Sequence, residues 1–427
     1  MIHAYPRVVP VGGPYEIELR SDIPLFGQSD WYALFTPCES FCNARDAVDI
    51  ETISGFPVSH TTNRPQRLEL AGNDSRTRRV RLSCPAEQEY TLRLFSTASS
   101  ACLAHAELYA VERDLQNQYP FKGDLHMHSF FSDGEDSPRR MAQECRRKGF
   151  DFMALTDHGK YAPSAALCRE FSSMPELAMA LYPGEEIHLP FHQAHILNIG
   201  GRQSVNELFA EAPEAFYDSI LRQADPGEMP PQVDPYSFKS ALWAFDRIHD
   251  FDGMSVFCHP YWRRPSGYEL STDLTESLLR THAFDALELV SGYPLQELDS
   301  NQLQLARYQE LKEKPPIVGV SDAHAAEDCL LGSFYTLVLA KNNQFESIRH
   351  GILSHQSVAA DQIAPGPARL FGSYRLVKYF QFLQRAFFPE HDVLARQESV
   401  RMEAWNGQGN HGLKPALDEL YHAVFAW

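Results

Sequence analysis

Asp124-Leu125-His126-Met127-His128, with Ser132-Asp133-Gly134 just after it, ends an apolar, strand-like run that begins at Phe121. Further segments end or follow similar runs: Thr156-Asp157-His158, Gly184-Glu185-Glu186, Cys258-His259-Pro260 and Ser321-Asp322-Ala323-His324. A strand's end is a rigid place from which to aim a side chain, and several such ends converge only in a barrel or an open parallel sheet. His126 and His128 alternate with Met127, so both imidazoles project to one face, which is how one strand delivers two nitrogens to one metal. The ordered set points to a multinuclear hydrolytic metal site.

These segments, together with His195 in Ala194-His195-Ile196-Leu197-Asn198-Ile199-Gly200, resemble the PHP (polymerase and histidinol phosphatase) domain family. That family comprises metal-dependent phosphoesterases related to the amidohydrolases. The resemblance covers roughly residues 120 to 340. It implies a distorted (β/α)7 barrel. It also implies a first metal held by His126, His128, Glu186 and Asp322, with Glu186 bridging to a second. His195 and His259 complete the second metal's shell, and Asp133, His158 and His324 bind a third. The family pattern Gly-x-Glu selects Glu186 over Glu185. An oxygen ligand at Asp133 leaves two or three ions open. Imidazole-rich shells favour Zn, Mn or Fe over Mg or Ca. Asp157 reads as an orienting group, and Glu288 as a further candidate behind the ligands. His188, His192, His249, His282 and His350 read as ordinary core or surface histidines.

The implied activity is hydrolysis of a phosphoester by a metal-bound hydroxide that attacks phosphorus in line, with no Ser or Cys nucleophile. Two or three divalent ions against Asp133, Glu186 and Asp322 leave a site of about +3 at most, which suits a phosphate. Arg263 and Arg264 follow His259-Pro260, where family members often carry an arginine that grips phosphate, and a guanidinium is shaped for that. Alternatives are an amidohydrolase-like hydrolase, a nuclease acting on oligonucleotides, and a non-catalytic metal- or ligand-binding protein. A structural zinc site would be closed and Cys-rich.

Composition bounds these readings. The 427 residues suffice for two or three domains, and 44% are hydrophobic, which is ordinary for a globular chain. The net charge of −18 repels polyanions, so a small phosphorylated metabolite or nucleotide is the expected partner rather than a nucleic acid polymer. The eight cysteines form no Cys-x-x-Cys pair, Cys38 and Cys42 being closest. That pattern, with no evident signal peptide and no bilayer-spanning run, reads as cytoplasmic, without a membrane partner. Nothing in the sequence sets the oligomeric state.

Residues 1–115 read as an all-β, sandwich-like accessory domain. Tyr15–Arg20, Arg79–Leu82, Tyr90–Phe95 and Ala106–Val111 alternate polar and apolar side chains between turn-rich stretches. Arg76, Arg78, Arg79 and Arg81 read as a solvated strand face. Residues 118–360 read as the α/β metal-dependent hydrolase domain. Its strands are expected at Phe121–His126, Phe152–Thr156, Ala178–Tyr182, Ala194–Ile199, Met254–His259, Ala286–Val290, Ile317–Ser321 and Phe334–Ala340. Helical periodicity between them, as at Pro138–Lys148 after the N-cap Ser137, predicts a parallel sheet. Residues 203–250, with the loop signal Pro226–Pro231, read as an insertion that is either a lid or a surface excursion. Residues 361–427 read as a helical extension, with helices at Tyr374–Phe388, His391–Ala404 and Lys414–Phe425.

Overall fold

A computed structural model of the chain describes residues 2–27, 30–39, 52–53, 56–57, 65–98, 101–223, 232–363, 366–409 and 411–427. Cys42 and the Pro226–Pro231 loop signal lie outside the described residues. The chain is mixed α/β and divides into two compact units. One comprises residues 1–117, 378–389 and 416–427, and the other residues 118–377 and 390–415.

In the first unit, Ile2–Tyr5, Gly12–Ser21 and Thr77–Cys84 form a three-stranded antiparallel sheet. A five-stranded sheet runs Val8–Pro10, Ala104–Val111, Gln88–Ser96, Trp31–Pro37, Gln66–Glu69. Alternation explains the packing: Ile17, Leu19, Val80 and Leu82 from one sheet share a core with Trp31, Phe35, Leu92 and Leu94 from the other. Arg79 faces Glu16 and Glu18 on the neighbouring strand at 3.8 and 3.5 Å, a solvated ladder, whereas Arg78 turns inward and donates to the backbone carbonyls of Gly27 and Thr77.

The second unit contains the expected strands, most of them a residue or two shorter: Tyr119–Asp124, Phe152–Ala154, Ala180–Tyr182, Ile196–Ile199, Met254–Phe257, Ala286–Ser291, Ile317–Val320 and Phe334–Ala340. Gly184–Glu186, Ser357–Asp361 and Arg369–Phe371 are additional. Most are buried on both faces, which is why they read as continuous apolar runs. The all-parallel expectation is corrected. Phe334–Ala340 is antiparallel to Tyr119–Asp124, and Ile196–Ile199 is antiparallel to both Gly184–Glu186 and Met254–Phe257. Parallel ladders between these strands run from Tyr119–Asp124 through Phe152–Ala154 to Ala180–Tyr182, and from Met254–Phe257 through Ala286–Ser291 to Ile317–Val320.

Backbone pairing among the described residues yields a six-stranded and a five-stranded sheet, not one closed ring. The sheets meet at the isolated bridges Met127↔Ala323 and His158↔Glu186. Side chains join them elsewhere: the Thr336 hydroxyl donates to the Gly319 carbonyl at 2.8 Å and the Ser357 hydroxyl to that of Ile317 at 2.7 Å.

Helix Pro138–Arg147 starts as expected: the Ser137 hydroxyl accepts from the Arg140 N–H at 3.2 Å, and Pro138 takes the first turn. Asp234 caps Pro235–Asp250 in the same way. That helix packs with Val205–Glu211 and Pro213–Arg222 against the sheet, burying Phe216, Ile220, Trp243 and Phe245. Each such side chain contributes about 1.5–3 kcal/mol, so lifting the four would cost on the order of 6–12 kcal/mol. That rivals the net stability of a whole domain. The described part of 203–250 therefore packs as a covering layer.

Within the second unit, the fully buried Arg146 guanidinium lies 2.6 Å from Glu398 and 3.1 Å from Asp151. His391 reaches Asp151 at 2.7 Å, and Lys122 reaches Asp392 at 2.9 Å. These bonds fasten the helical residues 390–404 to the strand edge that leads to His126.

Candidate metal centre

The strand Tyr119–Asp124 stops just before His126, and the chain is then pinned on both sides. The Asp322 N–H donates to the His126 carbonyl at 2.9 Å, and the His128 N–H to the Ala323 carbonyl at 2.8 Å. The buried Asp124 carboxylate accepts from the His126 and Ser321 N–H groups. Burial pushes its pKa up to about 7, with those hydrogen bonds opposing the rise.

His126 and His128 thereby face Glu186 and Asp322. His126 Nε2 lies 3.1 Å from Glu186 Oε2, 3.3 Å from Asp322 Oδ1 and 3.2 Å from His128 Nε2. His128 Nε2 lies 3.4 Å from the same Glu186 oxygen and 3.0 Å from the same Asp322 oxygen. Four donors at 2.0–2.1 Å around one ion in tetrahedral array stand about 3.3 Å apart. The cluster has that spacing without help from any ion, so the residues fit a metal.

Around it, His195 Nδ1 lies 2.5 Å from Glu186 Oε1, the other oxygen of the carboxylate that faces His126 and His128. His259 stands beside His195 and His126, with ring centroids 4.9 and 5.8 Å away. Asp133 Oδ2 lies 3.6 Å from His158 Nε2 and 3.4 Å from His324 Nε2. The structure thus brings His126, His128, Asp133, His158, Glu186, His195, His259, Asp322 and His324 into overlapping groups of potential ligand atoms.

Electrostatics agree with ligand duty. Burial lowers the His259 imidazole to about 4, with His195 adding to the effect, and burial also lowers His158 despite Glu186. Both rings are therefore held in the neutral form that binds metals. Burial opposes charge on His126 too, but Asp322, Glu288 and Glu186 outweigh it and raise its pKa, the response of a carboxylate-rich cage that calls for a cation. Burial works against an ionised Glu186, yet His195 and His126 hold its pKa well below the usual range.

Other groups hold the ligands in place. His126 Nδ1 meets Glu288 Oε1 at 2.7 Å, leaving Nε2 free to point inward, and Glu288 Oε2 accepts from the His259 N–H at 2.9 Å. One carboxylate therefore orients two imidazole residues. His324 Nδ1 lies 2.8 Å from the Asp322 carbonyl, which directs its Nε2 toward Asp133. Asp157 accepts from the Ser129 N–H and from the Ser129 and Ser132 hydroxyls, fixing the loop that carries Asp133. Gly134 is required there: a Cβ would come within 2.7 Å of the His128 carbonyl. His259 (φ 23°) and Asp322 (φ 48°) both sit in left-handed backbone, strain of order 1–3 kcal/mol each that the surrounding bonds sustain.

Arg263 and Arg264 lie outside these groups. Arg263 is exposed, 3.9 Å from Asp299, while Arg264 pairs with Glu269 at 2.9 Å and lies 4.1 Å over the Trp262 ring. Glu185 anchors the helix at Val205–Glu211 through Ser204, Val205 and Asn206. His192, His249 and His282 have ordinary partners in Ser240, Asp285 and Glu313. Cys258, grouped with His126 and Glu288, escaped the sequence reading because a buried cysteine at a strand end looks like any small apolar residue.

Glu288→Gln is expected to weaken metal binding by about 10–100-fold with the fold intact. Competition against a chromophoric chelator measures this, and wild-type affinity in the variant would remove Glu288 from the centre.

Residues 124–224 match the family model of the PHP domain. The chain is 49% identical over 55 residues to the DNA polymerase/3'-5' exonuclease PolX of Bacillus subtilis, a match covering 13% of this chain and 10% of that one. Among solved structures, a two-domain protein from Bacteroides vulgatus containing a predicted PHP-like metal-dependent phosphoesterase is 19% identical. That match covers 62% of this chain and 71% of the other, with a TM-score of 0.43. The lesion-specific endonuclease EndoQ of Pyrococcus furiosus is 16% identical over 59% of this chain and 58% of its own, with a TM-score of 0.33.

Proposed function

We propose that this chain is a metal-dependent phosphoesterase that hydrolyses a small phosphorylated metabolite or nucleotide. In this reading residues 118–360 form the catalytic domain as a distorted (β/α)7-type barrel. Residues 1–115 serve as an accessory domain and 361–427 as a helical extension. The observation that carries the reading is the spacing of 3.0–3.4 Å among the His126, His128, Glu186 and Asp322 donor atoms.

His126, His128, Glu186 and Asp322 would hold one ion, Glu186, His195 and His259 a second, and Asp133, His158 and His324 a third. Zn, Mn and Fe suit such donors. Bound there, divalent ions make a water a nucleophile near neutral pH and draw charge from phosphoryl oxygens. The chain's own residues do the placing. Glu288 fixes the inward nitrogen of His126, the Asp322 carbonyl fixes that of His324, and Asp157 holds the loop of Asp133. In hydrolysis the water oxygen joins phosphorus and the ester P–O bond breaks. Its electron pair leaves on the alcohol oxygen, which takes up a proton released by the water. Arg263 and Arg264 are proposed to steady the anion, a role that requires them to exchange Asp299 and Glu269 for phosphate.

The net charge of −18 favours a compact anion over a polymer. Oligonucleotide cleavage is the second reading, prompted by the nuclease names of PolX and EndoQ. No helix among the described residues is long and apolar enough to cross a membrane. The cysteines among them are free, which is in keeping with a proposed cytoplasmic location.

Metal-loaded protein is expected to carry two or three transition-metal ions per chain and to release phosphate from small monoesters. Chelation should abolish turnover and Mn or Zn should restore it. Less than one equivalent of metal after incubation would count against the assignment, and faster processive degradation of a single-stranded oligonucleotide would favour the nuclease.

A further inference from the structure

A cavity of about 340 Å³ opens beside the metal centre, with Asp322 and His324 at one side and Trp262, Tyr293, Leu295 and Leu330 among its walls. We propose that this cavity is the subsite for the organic group of the phosphoester, and that it selects an apolar or aromatic group over a polyol or a second phosphate. The inference rests on the phosphoesterase reading and adds its substrate class.

Trp262 links the two regions. Its ring lies 5.2 Å from that of His259 and 5.7 Å from that of Tyr293, and its indole N–H donates to Glu297 at 2.6 Å. The Arg264 guanidinium on its face holds the ring further. Of the polar side chains in the walls, the Tyr293 hydroxyl meets Gln304 at 3.4 Å and Asp328 accepts from the Leu330 N–H at 2.9 Å, while Cys329 carries a free thiol. The side formed by Trp262, Tyr293, Pro294, Leu295 and Leu330 therefore offers mostly carbon, and a polyol hydroxyl placed against it would lose water without compensation. No Lys or Arg lines the cavity, so a second phosphate would meet no counter-charge. Leu295, by contrast, exposes 64% of its surface at the wall, apolar area that a matching ligand would cover. A substrate bound by its phosphoryl end near Asp322 and His324 would extend its organic group along Trp262.

The test uses the metal-loaded full chain and two matched pairs. 2-Phenylethyl phosphate and ethyl phosphate release primary alcohols, so their leaving-group chemistry is alike. 2-Phenylethylphosphonate and ethylphosphonate cannot be hydrolysed, and calorimetry reads their binding directly. The phenylethyl member of each pair is expected to show a kcat/KM or affinity about tenfold higher, from the apolar area it buries. Leu295→Asp, at an exposed position, and Trp262→Ala should each collapse both ratios. Equal values for both members of each pair, or ratios unchanged in both variants, overturn the subsite. Selective phosphonate binding with no ester hydrolysed would leave the subsite standing and sink the phosphoesterase reading instead.

Discussion

His128→Ala is expected to lower phosphoester hydrolysis by a factor on the order of 10³ or more, since losing several kcal/mol of metal-derived stabilisation is worth that much. Its Nε2 belongs to the tightest donor cluster, 3.0 Å from Asp322 and 3.2 Å from His126. The ring is buried in a site whose backbone is held by other residues, so the far-ultraviolet circular dichroism of the variant should match wild type. Hydrolysis near the wild-type rate in metal-loaded His128→Ala would show that this cluster is not where the chemistry happens. Metal content, measured on the same sample, separates a lost ion from a misplaced one.

The second large effect concerns stability. Arg146→Ala leaves the Glu398 and Asp151 carboxylates, both buried, without their shared guanidinium. Breaking a buried ion pair by removing one partner costs about 3–5 kcal/mol, whereas removing an exposed one costs about 0–1 kcal/mol. Equilibrium denaturation in urea should show that loss in the second unit. Arg222→Ala, at the exposed pair with Asp218, provides the contrast and should stay near zero. A loss under 1 kcal/mol for Arg146→Ala would mean that the partners that remain, His391 on Asp151 and the Ala178 and Leu413 N–H groups on Glu398, suffice for the two carboxylates.

Much of this was legible because the signals are local. Ile317–Val320 and Phe334–Ala340 are apolar runs between polar breaks, and the capped Pro138–Arg147 carries its start signal in Ser137-Pro138. Pairing direction was less legible, since it depends on which strands meet. The connection from Glu186 to Ile196 is too short for a crossover helix, which forces the antiparallel step that the alternation of strands and helices concealed. Ser357–Asp361 was missed because its alanines carry little strand preference and its place is set by Phe334–Ala340. At the site, residues projecting from successive strand ends announced themselves. The dual role of Glu288, touching both His126 and His259, required knowing that residues far apart in sequence share one layer.

The left-handed backbone at His259 and Asp322 carries a consequence for engineering and for evolutionary drift. Glycine would relax both positions and lose the side chain that the centre requires. A search for sturdier variants that scores folding alone would therefore be drawn to these two positions first, and would discard reactivity there before anywhere else. Thermal resilience is safer sought in the exposed strand face around Arg79 and Glu16, where nothing aims at an ion.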